Sequence, residues 1–330
     1  MKRIAKITVA LLLAVAMCFS LAGCYDEDLN WSAKYDDTEL PAGAYIYYLS
    51  IAYNEAASKV STEGEVLKSE IDGTPAETWI KNRADEYVNQ YFYIQNEMKR
   101  LGLEMTDEDY STCLQTTESY WNYFGTSFEK FGIAKTSFDI AYSQYNRMYL
   151  KVFNALYGEG GENEVPESEL RQHVEDDYYD YEYFSAPLTK TDDDNKSVDL
   201  TDEEKADLKE TLEKYKTKIE SGAMTVNDAA TDYALKVQQD STYQTGIKDE
   251  NGMQSSYMPD AFISAIKEMN EGDVEVVEST KYMIVLHRLP IKDDEDTLLE
   301  SSDNRSQLLL ELKNTEYADA VSTAAQSFEG

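Results

Sequence analysis

Histidine, cysteine and basic residues are scarce in this 330-residue chain: it has two His and three Cys, and 30 Lys+Arg stand against 64 Asp+Glu. Two isolated histidines, His173 and His287, cannot furnish a zinc site with so few thiols. No Ser-His-Asp arrangement, glycine-rich phosphate loop or dinucleotide fingerprint stands out. Carboxylate pairs are so common that one such as Asp176 and Asp177 says nothing of glycosidase chemistry. Asp192-Asp193-Asp194-Asn195 lacks the Gly that a calcium loop needs for its sharp turn, so it reads as a solvated acidic loop. No metal and no cofactor are expected. The formal net charge of -34 repels nucleic acid and anionic lipid headgroups alike. The apolar run from Ile7 to Leu21 falls short of the roughly 20 residues that span a bilayer.

That run does have a recognisable setting. Lys2, Arg3 and Lys6 precede it and Leu21-Ala22-Gly23-Cys24 follows, which is the layout of a secretory signal peptide. Leu-Ala-Gly-Cys resembles the lipobox of bacterial lipoproteins. The resemblance implies acylation of Cys24 as a new N-terminus and tethering by lipid to the outer face of a bacterial cell membrane. Cys18 would leave with the signal, and Cys113 would remain as a buried small hydrophobe. The exported part must then hold together by packing, without a disulfide. The apolar content of the whole chain, 42%, fits a globular protein. The 26 Tyr suit surfaces that touch other chains, and equally suit half-buried helix faces.

Residues 25–35 read as a polar spacer. Tyr45, Tyr48, Leu49 and Ala52 share one face of a first helix, and Ser61 to Gly73 reads as a loop. Ile80, Ala84, Tyr87, Tyr91, Ile94, Met98 and Leu101 recur at steps of four and three, the strongest helical stripe in the chain, with Gly102 as its stop. Thr106 caps a helix over Tyr110 to Tyr123, which Phe124-Gly125 breaks, leaving Ser127 to Gly132 as a short piece. Thr136 or Ser137 caps a helix to about Tyr157, and Pro166 begins another. After Asp176 the texture changes. Tyr178 to Ala186 is rich in strand-favouring aromatics. Thr201 with Glu204 makes a capping box for a helix to about Ser221, Val226 to Tyr233 follows as a helix, and Asp240 to Tyr257 reads as loop. Pro259 to Met269 is a helix, and Val274 to Val277 and Tyr282 to Leu289 are strands. From Asp296 the chain is helical again, in a segment that could fold back onto the first half.

This order resembles the PrsA-type foldase lipoproteins and their SurA-like periplasmic relatives. The resemblance is carried by Lys99-Arg100-Leu101-Gly102-Leu103-Glu104-Met105-Thr106-Asp107-Glu108-Asp109, by Phe128-Glu129-Lys130-Phe131-Gly132-Ile133 and by Val165-Pro166-Glu167-Ser168-Glu169-Leu170. It implies an α+β fold: a lipoprotein signal peptide over 1–23, a tether over 24–35, a helical SurA-N-like chaperone domain over 36–175, a small parvulin-like α+β domain over 176–295, and a C-terminal helix over 296–330 packing on the helical domain. Met258-Pro259-Asp260-Ala261-Phe262 resembles the Met and Phe, four apart, that line a parvulin's proline pocket. Parvulins usually place one His in the first strand and another in the last; here Tyr183 and Met283 stand at the best-matching positions. The resemblance therefore implies Tyr183, Met258, Phe262 and Met283 as peptide-binding residues, with unfolded or newly exported polypeptides as partners and no efficient isomerase activity. An active peptidyl-prolyl cis-trans isomerase is the alternative. A solute-binding or adhesion lipoprotein is the second.

Overall fold

The computed structural model describes residues 31–60, 65–192, 194–237 and 239–328. The expected signal peptide, Cys24 and the tether up to residue 30 lie outside the described residues. The chain forms two compact units, one of residues up to Glu164 together with those from Leu309, the other of Val165–Leu308.

The first unit opens with an antiparallel ribbon, β1 (Trp31–Tyr35) on β2 (Thr38–Pro41), so the end of the expected spacer is a strand. Helix α1 (Ala42–Lys59) follows and buries Tyr48, Leu49 and Ala52 as the stripe predicts. The expected loop up to Gly73 instead holds a 3-10 turn (Val66–Lys68) and a small hairpin, β3 (Glu70–Ile71) with β4 (Thr74–Pro75). Its two central residues, Asp72 and Gly73, both have positive φ, the geometry an Asp-Gly pair supplies at a tight hairpin. Helix α2 (Ala76–Arg100) buries Ile80, Ala84, Tyr91, Ile94 and Met98. It ends with Leu103 N–H bonded to Met98 O and Gly102 N–H to Lys99 O, which satisfies the last carbonyls.

Helix α3 (Asp107–Lys130) starts at a full capping box between Thr106 and Asp109. It runs without a break through Phe124-Gly125, against the expectation of a stop. Gly125 is there for room: a Cβ would lie 2.6 Å from Trp121 Nε1, whose ring folds over the helix backbone. After it come α4 (Lys135–Phe138), a π-helical stretch (Asp139–Gln144) and α5 (Tyr145–Tyr157). No Thr136 or Ser137 side chain caps this run; it begins from Ala134, whose side chain offers no acceptor.

In the second unit, α6 (Glu167–Asp177) leads into β5 (Tyr178–Pro187). The expected acidic loop is a hairpin, β6 (Thr189–Thr191) with β7 (Ser197–Asp199), because Asp192 Oδ1 accepts the N–H groups of Asp194 and Lys196 and closes the turn. Helices α7 (Asp202–Glu220) and α8 (Val226–Val237) follow, the first behind its capping box. The segment expected as loop from Asp240 to Tyr257 carries β8 (Gln244–Asp249) and α9 (Glu250–Ser255). Helix α10 (Asp260–Glu268), β9 (Val274–Glu278) and β10 (Tyr282–Leu289) complete an antiparallel sheet of order β8-β5-β10-β9. Strand alternation divides this sheet into two packed faces. Phe184, Ala186, Met283 and Val285 meet Leu212, Tyr215 and Ala229 of α7 and α8. Tyr181, Ile284 and Leu286 meet Met253, Phe262 and Ile266 of α9 and α10.

The second unit extends beyond 176–295 at both ends. Its closing helix α11 (Ile291–Leu299) pairs with α6 through Arg171, 2.5 Å from Glu295 and 2.8 Å from Asp296, and through Lys292, 3.1 Å from Glu175. The last helix, α12 (Ser302–Ala325), carries the chain into the first unit from Leu309. There Tyr317, 2% exposed, lies with its ring 4.6 Å from Tyr149 and 5.3 Å from Phe153.

Two buried carboxyls are shifted in opposite directions. Asp109, 1% exposed, sits 2.5 Å from Arg147 Nε and 2.6 Å from Lys151 Nζ. Burial alone would raise its pKa, but hydrogen bonds from Lys151, Thr106 and Arg147 hold it well below the usual carboxylate range. Asp180 is the reverse: burial first, then the charge and hydrogen bond of Asp294, push it up to about 6. Its Oδ2 has no hydrogen-bond partner.

Asp109→Asn is expected to cost about 3 kcal/mol. That is the low end for a broken buried pair, since Arg147 and Lys151 keep 39% and 24% of their side chains exposed. All three Trp, 31, 79 and 121, lie in the first unit, so urea melts read by Trp fluorescence follow that unit. The stability Asp109 contributes is present above its unfolded pKa of roughly 3.9 and is lost as pH falls below it; the Asn variant lacks this loss. For Asp180 the folded chain keeps the proton longer, so stability falls as pH rises from roughly 4 to about 6 and is flat above. Asp180→Asn is expected to remove that slope in hydrogen exchange of the α11 amides.

Candidate functional site

The four residues singled out in the second unit do not converge. Tyr183 and Phe262 are brought together, their ring centroids 5.2 Å apart at 70°. Met258 joins them through Tyr181, whose hydroxyl lies 3.7 Å from Met258 Sδ. Met283 is on the opposite face of the sheet, among Phe184, Leu212 and Tyr215. Register explains the separation: Leu286 pairs with Tyr183 and Met283 with Ala186, so Ile284 rather than Met283 points toward Phe262.

Phe262 itself is closed off. It is 1% exposed, with Tyr181 packed edge-on at 5.2 Å and Tyr183 beside it. Burial and the neighbouring Tyr183 push the Tyr181 hydroxyl well above its ordinary pKa, so it stays neutral. Tyr181 and Tyr183 cover the Phe262 ring.

The histidines stand elsewhere. His287 Nδ1 lies 2.9 Å from Glu182 Oε1, and Tyr243 donates to Glu182 Oε2 at 2.9 Å. Burial opposes ionisation of Glu182, but these two hydrogen bonds outweigh it and lower the pKa. The strand register puts His287 on the Met283 face. His173 in α6 pairs with Asp177 at 2.8 Å. Among the described residues no group of three or more His, Cys, Asp or Glu is placed to hold a metal ion.

The largest group of exposed apolar side chains among the described residues lies in the first unit, on α3. The residues α3 buries are Asp109, Cys113, Thr117 and Gly125. Thr117 Oγ1 donates to Asp139 Oδ1 at 2.7 Å and lies 2.7 Å from Ser143 Oγ, while Gln144 Nε2 bonds Asp139 Oδ2 at 2.6 Å. The π-helical stretch supplies these partners, as such stretches often do at irregular packing. Tyr110, Leu114, Tyr120 and Phe124 lie on the same side of α3 as this polar seam and flank it, half exposed. Tyr110, Leu114, Tyr120, Tyr123 and Phe124 are 45%, 57%, 39%, 85% and 48% exposed. Five of the nine large exposed hydrophobics among the described residues therefore sit on this helix.

These side chains rest on a rigid base. Phe138, 1% exposed, stacks on Phe128 at 5.1 Å and on Tyr142 at 5.2 Å. Tyr120 packs on Tyr142 at 4.9 Å and accepts its hydroxyl hydrogen bond at 2.8 Å. Phe124 lies 6.4 Å from both Tyr120 and Tyr123. The face is held in place, which lowers the ordering cost of any contact made there. Sequence reasoning missed it by ending the helix at Phe124-Gly125; the available signal was a helix whose Tyr and Phe had no apolar counterpart at the buried positions. The first unit also has an open cleft of about 840 Å³, lined by Trp31, Lys34, Tyr45, Lys81, Asp85 and Phe328 among others.

No protein-family model matches the chain, and no curated protein matches it. Among solved structures it is similar to the foldase protein PrsA from Streptococcus pneumoniae, at 13% identity and TM-score 0.39 over 78% of this chain and 92% of that one. It is similar also to PrsA from Bacillus subtilis, at 13% identity and TM-score 0.34 over 80% and 93%. A third is the foldase protein PrsA from Lactococcus lactis, at 12% identity and TM-score 0.36 over 88% and 90%. Likenesses this distant assign no residue of this chain a role.

Phe262→Ala is expected to act on stability. Deleting a fully buried ring costs about 3–5 kcal/mol, read as a loss of hydrogen-exchange protection across β5 and β10. Unchanged protection would mean that the ring is not packed as described.

Proposed function

We propose that this chain is an extracytoplasmic chaperone or foldase, tethered to the outer face of a bacterial cell membrane by lipid on Cys24, that binds unfolded exported polypeptides. The observation that carries the reading is the exposed apolar face of α3. Tyr110, Leu114, Tyr120 and Phe124, 45%, 57%, 39% and 48% exposed, lie along one side of the helix and gain by covering apolar surface, yet the face is too small and too open to enclose a small molecule. Tyr and Phe offer broad, adaptable contact to many sequences without a covalent step. Among the described residues no helix is long and apolar enough to cross a membrane.

In this reading the second unit is a parvulin-like domain without efficient isomerase activity. Against an active isomerase stand the burial of Phe262 under Tyr181 and Tyr183 and the position of Met283 among the α7 and α8 side chains. A solute-binding protein would call for paired α/β lobes, whereas the first unit has only short two-stranded ribbons among its helices.

The purified chain is expected to suppress aggregation of a refolding substrate at equimolar amounts. Leu114→Ser, Tyr123→Ser and Phe124→Ser together should remove most of that suppression while leaving the far-UV circular dichroism unchanged. In a proline-peptide assay the same preparation should leave isomerisation at its uncatalysed rate. Absence of suppression by the unaltered chain would reject the chaperone reading, and a catalysed rate abolished by Phe262→Ala would replace it with the isomerase.

A further inference from the structure

We propose that the α3 face selects client segments in which apolar side chains are flanked by lysine or arginine. The inference rests on the chaperone reading and names the chemistry of the client.

Asp107, Tyr110, Leu114 and Glu118 follow one another at helical steps of three, four and four, so they form one row along α3. The two apolar members are 45% and 57% exposed. The carboxylates at either end of the row are exposed as well. Eleven helical residues at about 1.5 Å each separate the acids by roughly 16 Å. An extended client covers that span in about five residues. A segment with two cations that far apart and Leu or Phe between them would lay its apolar side chains on Tyr110 and Leu114 and its charges at the two carboxylates.

The surroundings have the same sign. Between Leu101 and Glu129 stand Glu104, Asp107, Glu108, Asp109, Glu118 and Glu129, with no Lys, Arg or His. The cations that reach α3 from α4 and α5 are already engaged. Arg147 and Lys151 hold the buried Asp109, and Lys135 pairs with Glu118. That last pair is at the surface, where Glu118 is 60% exposed and a second cation can join or displace Lys135. Glu104, Asp107 and Glu108 crowd the helix start with no base among them. The tyrosine ring faces add an attraction for cations that an acidic client lacks.

The test uses the purified chain and a pair of short labelled peptides, one with Leu and Phe between two lysines, the other identical but with two glutamates, read by fluorescence anisotropy. At low ionic strength the lysine peptide is expected to bind about tenfold more tightly, the effect of two partly exposed charge pairs. The gap should close at about 0.5 M salt, where screening acts over roughly 4 Å. Asp107→Asn with Glu118→Gln should remove most of the preference. Glu203→Gln with Glu210→Gln on α7 removes the same charge elsewhere and should leave it intact. Leu114→Ser should weaken both peptides alike. Equal binding of the two peptides, or a preference untouched by Asp107→Asn with Glu118→Gln, overturns the inference while suppression of aggregation still upholds the chaperone reading. If neither peptide binds and aggregation is not suppressed, both fall.

Discussion

The contact on which the first unit depends is the meeting of Asp109 with Arg147 and Lys151. One carboxylate closes the capping box at Thr106, which starts α3, and binds two cations from α5, which fixes where α3 lies. A charge so buried survives only with partners of this quality. Its placement also bears on what α3 presents, because with the buried positions taken by Asp, Cys, Thr and Gly the neighbouring Tyr110, Leu114, Tyr120 and Phe124 are only half covered.

The packed side of α3 mixes polar and apolar groups. Its buried positions are stabilised by a bonded group of Thr117, Asp139, Ser143 and Gln144, which specifies one register between α3 and the π-helical stretch. The apolar side chains that flank this group are only half covered. Those that rest on a stacked base of Phe128, Phe138 and Tyr142 still offer surface suited to contacts with another chain. In the second unit both sheet faces are packed, and the aromatic residues that could have lined a groove there fill the core instead.

Much of the fold was legible because its long helices obey one rule each. The stripe from Ile80 to Met98 fixes α2, and Thr201 with Glu204 fixes the start of α7. What escaped did so for local reasons. Gly125 reads as a breaker, but it serves the Trp121 ring lying over it. Strand β8, Gln-Thr-Gly-Ile-Lys-Asp, has few strand-favouring residues because it sits at the sheet edge, with none of its residues fully buried, and is held by its backbone pairing to β5. The candidate site was legible as residue types and not as geometry. Tyr183, Met258 and Phe262 gather as their types suggest, whereas Met283 misses by one residue, since parity along β10 is set by a register with β5 that a single strand does not encode.

The insertion of one unit within the other has a temporal consequence. Tyr317 and Val321, each 2% exposed, arrive on the part of α12 beyond Leu308, whereas Tyr149, Phe153 and Tyr157 are laid down before Val165. A ribosome or a translocation channel delivers the chain in order from its N-terminus. The rings of α5 must therefore wait, uncovered, while the whole of the second unit emerges and folds. A nascent chain of this design passes through a stage in which it is itself in need of shielding, and its first-made half is the last to be finished.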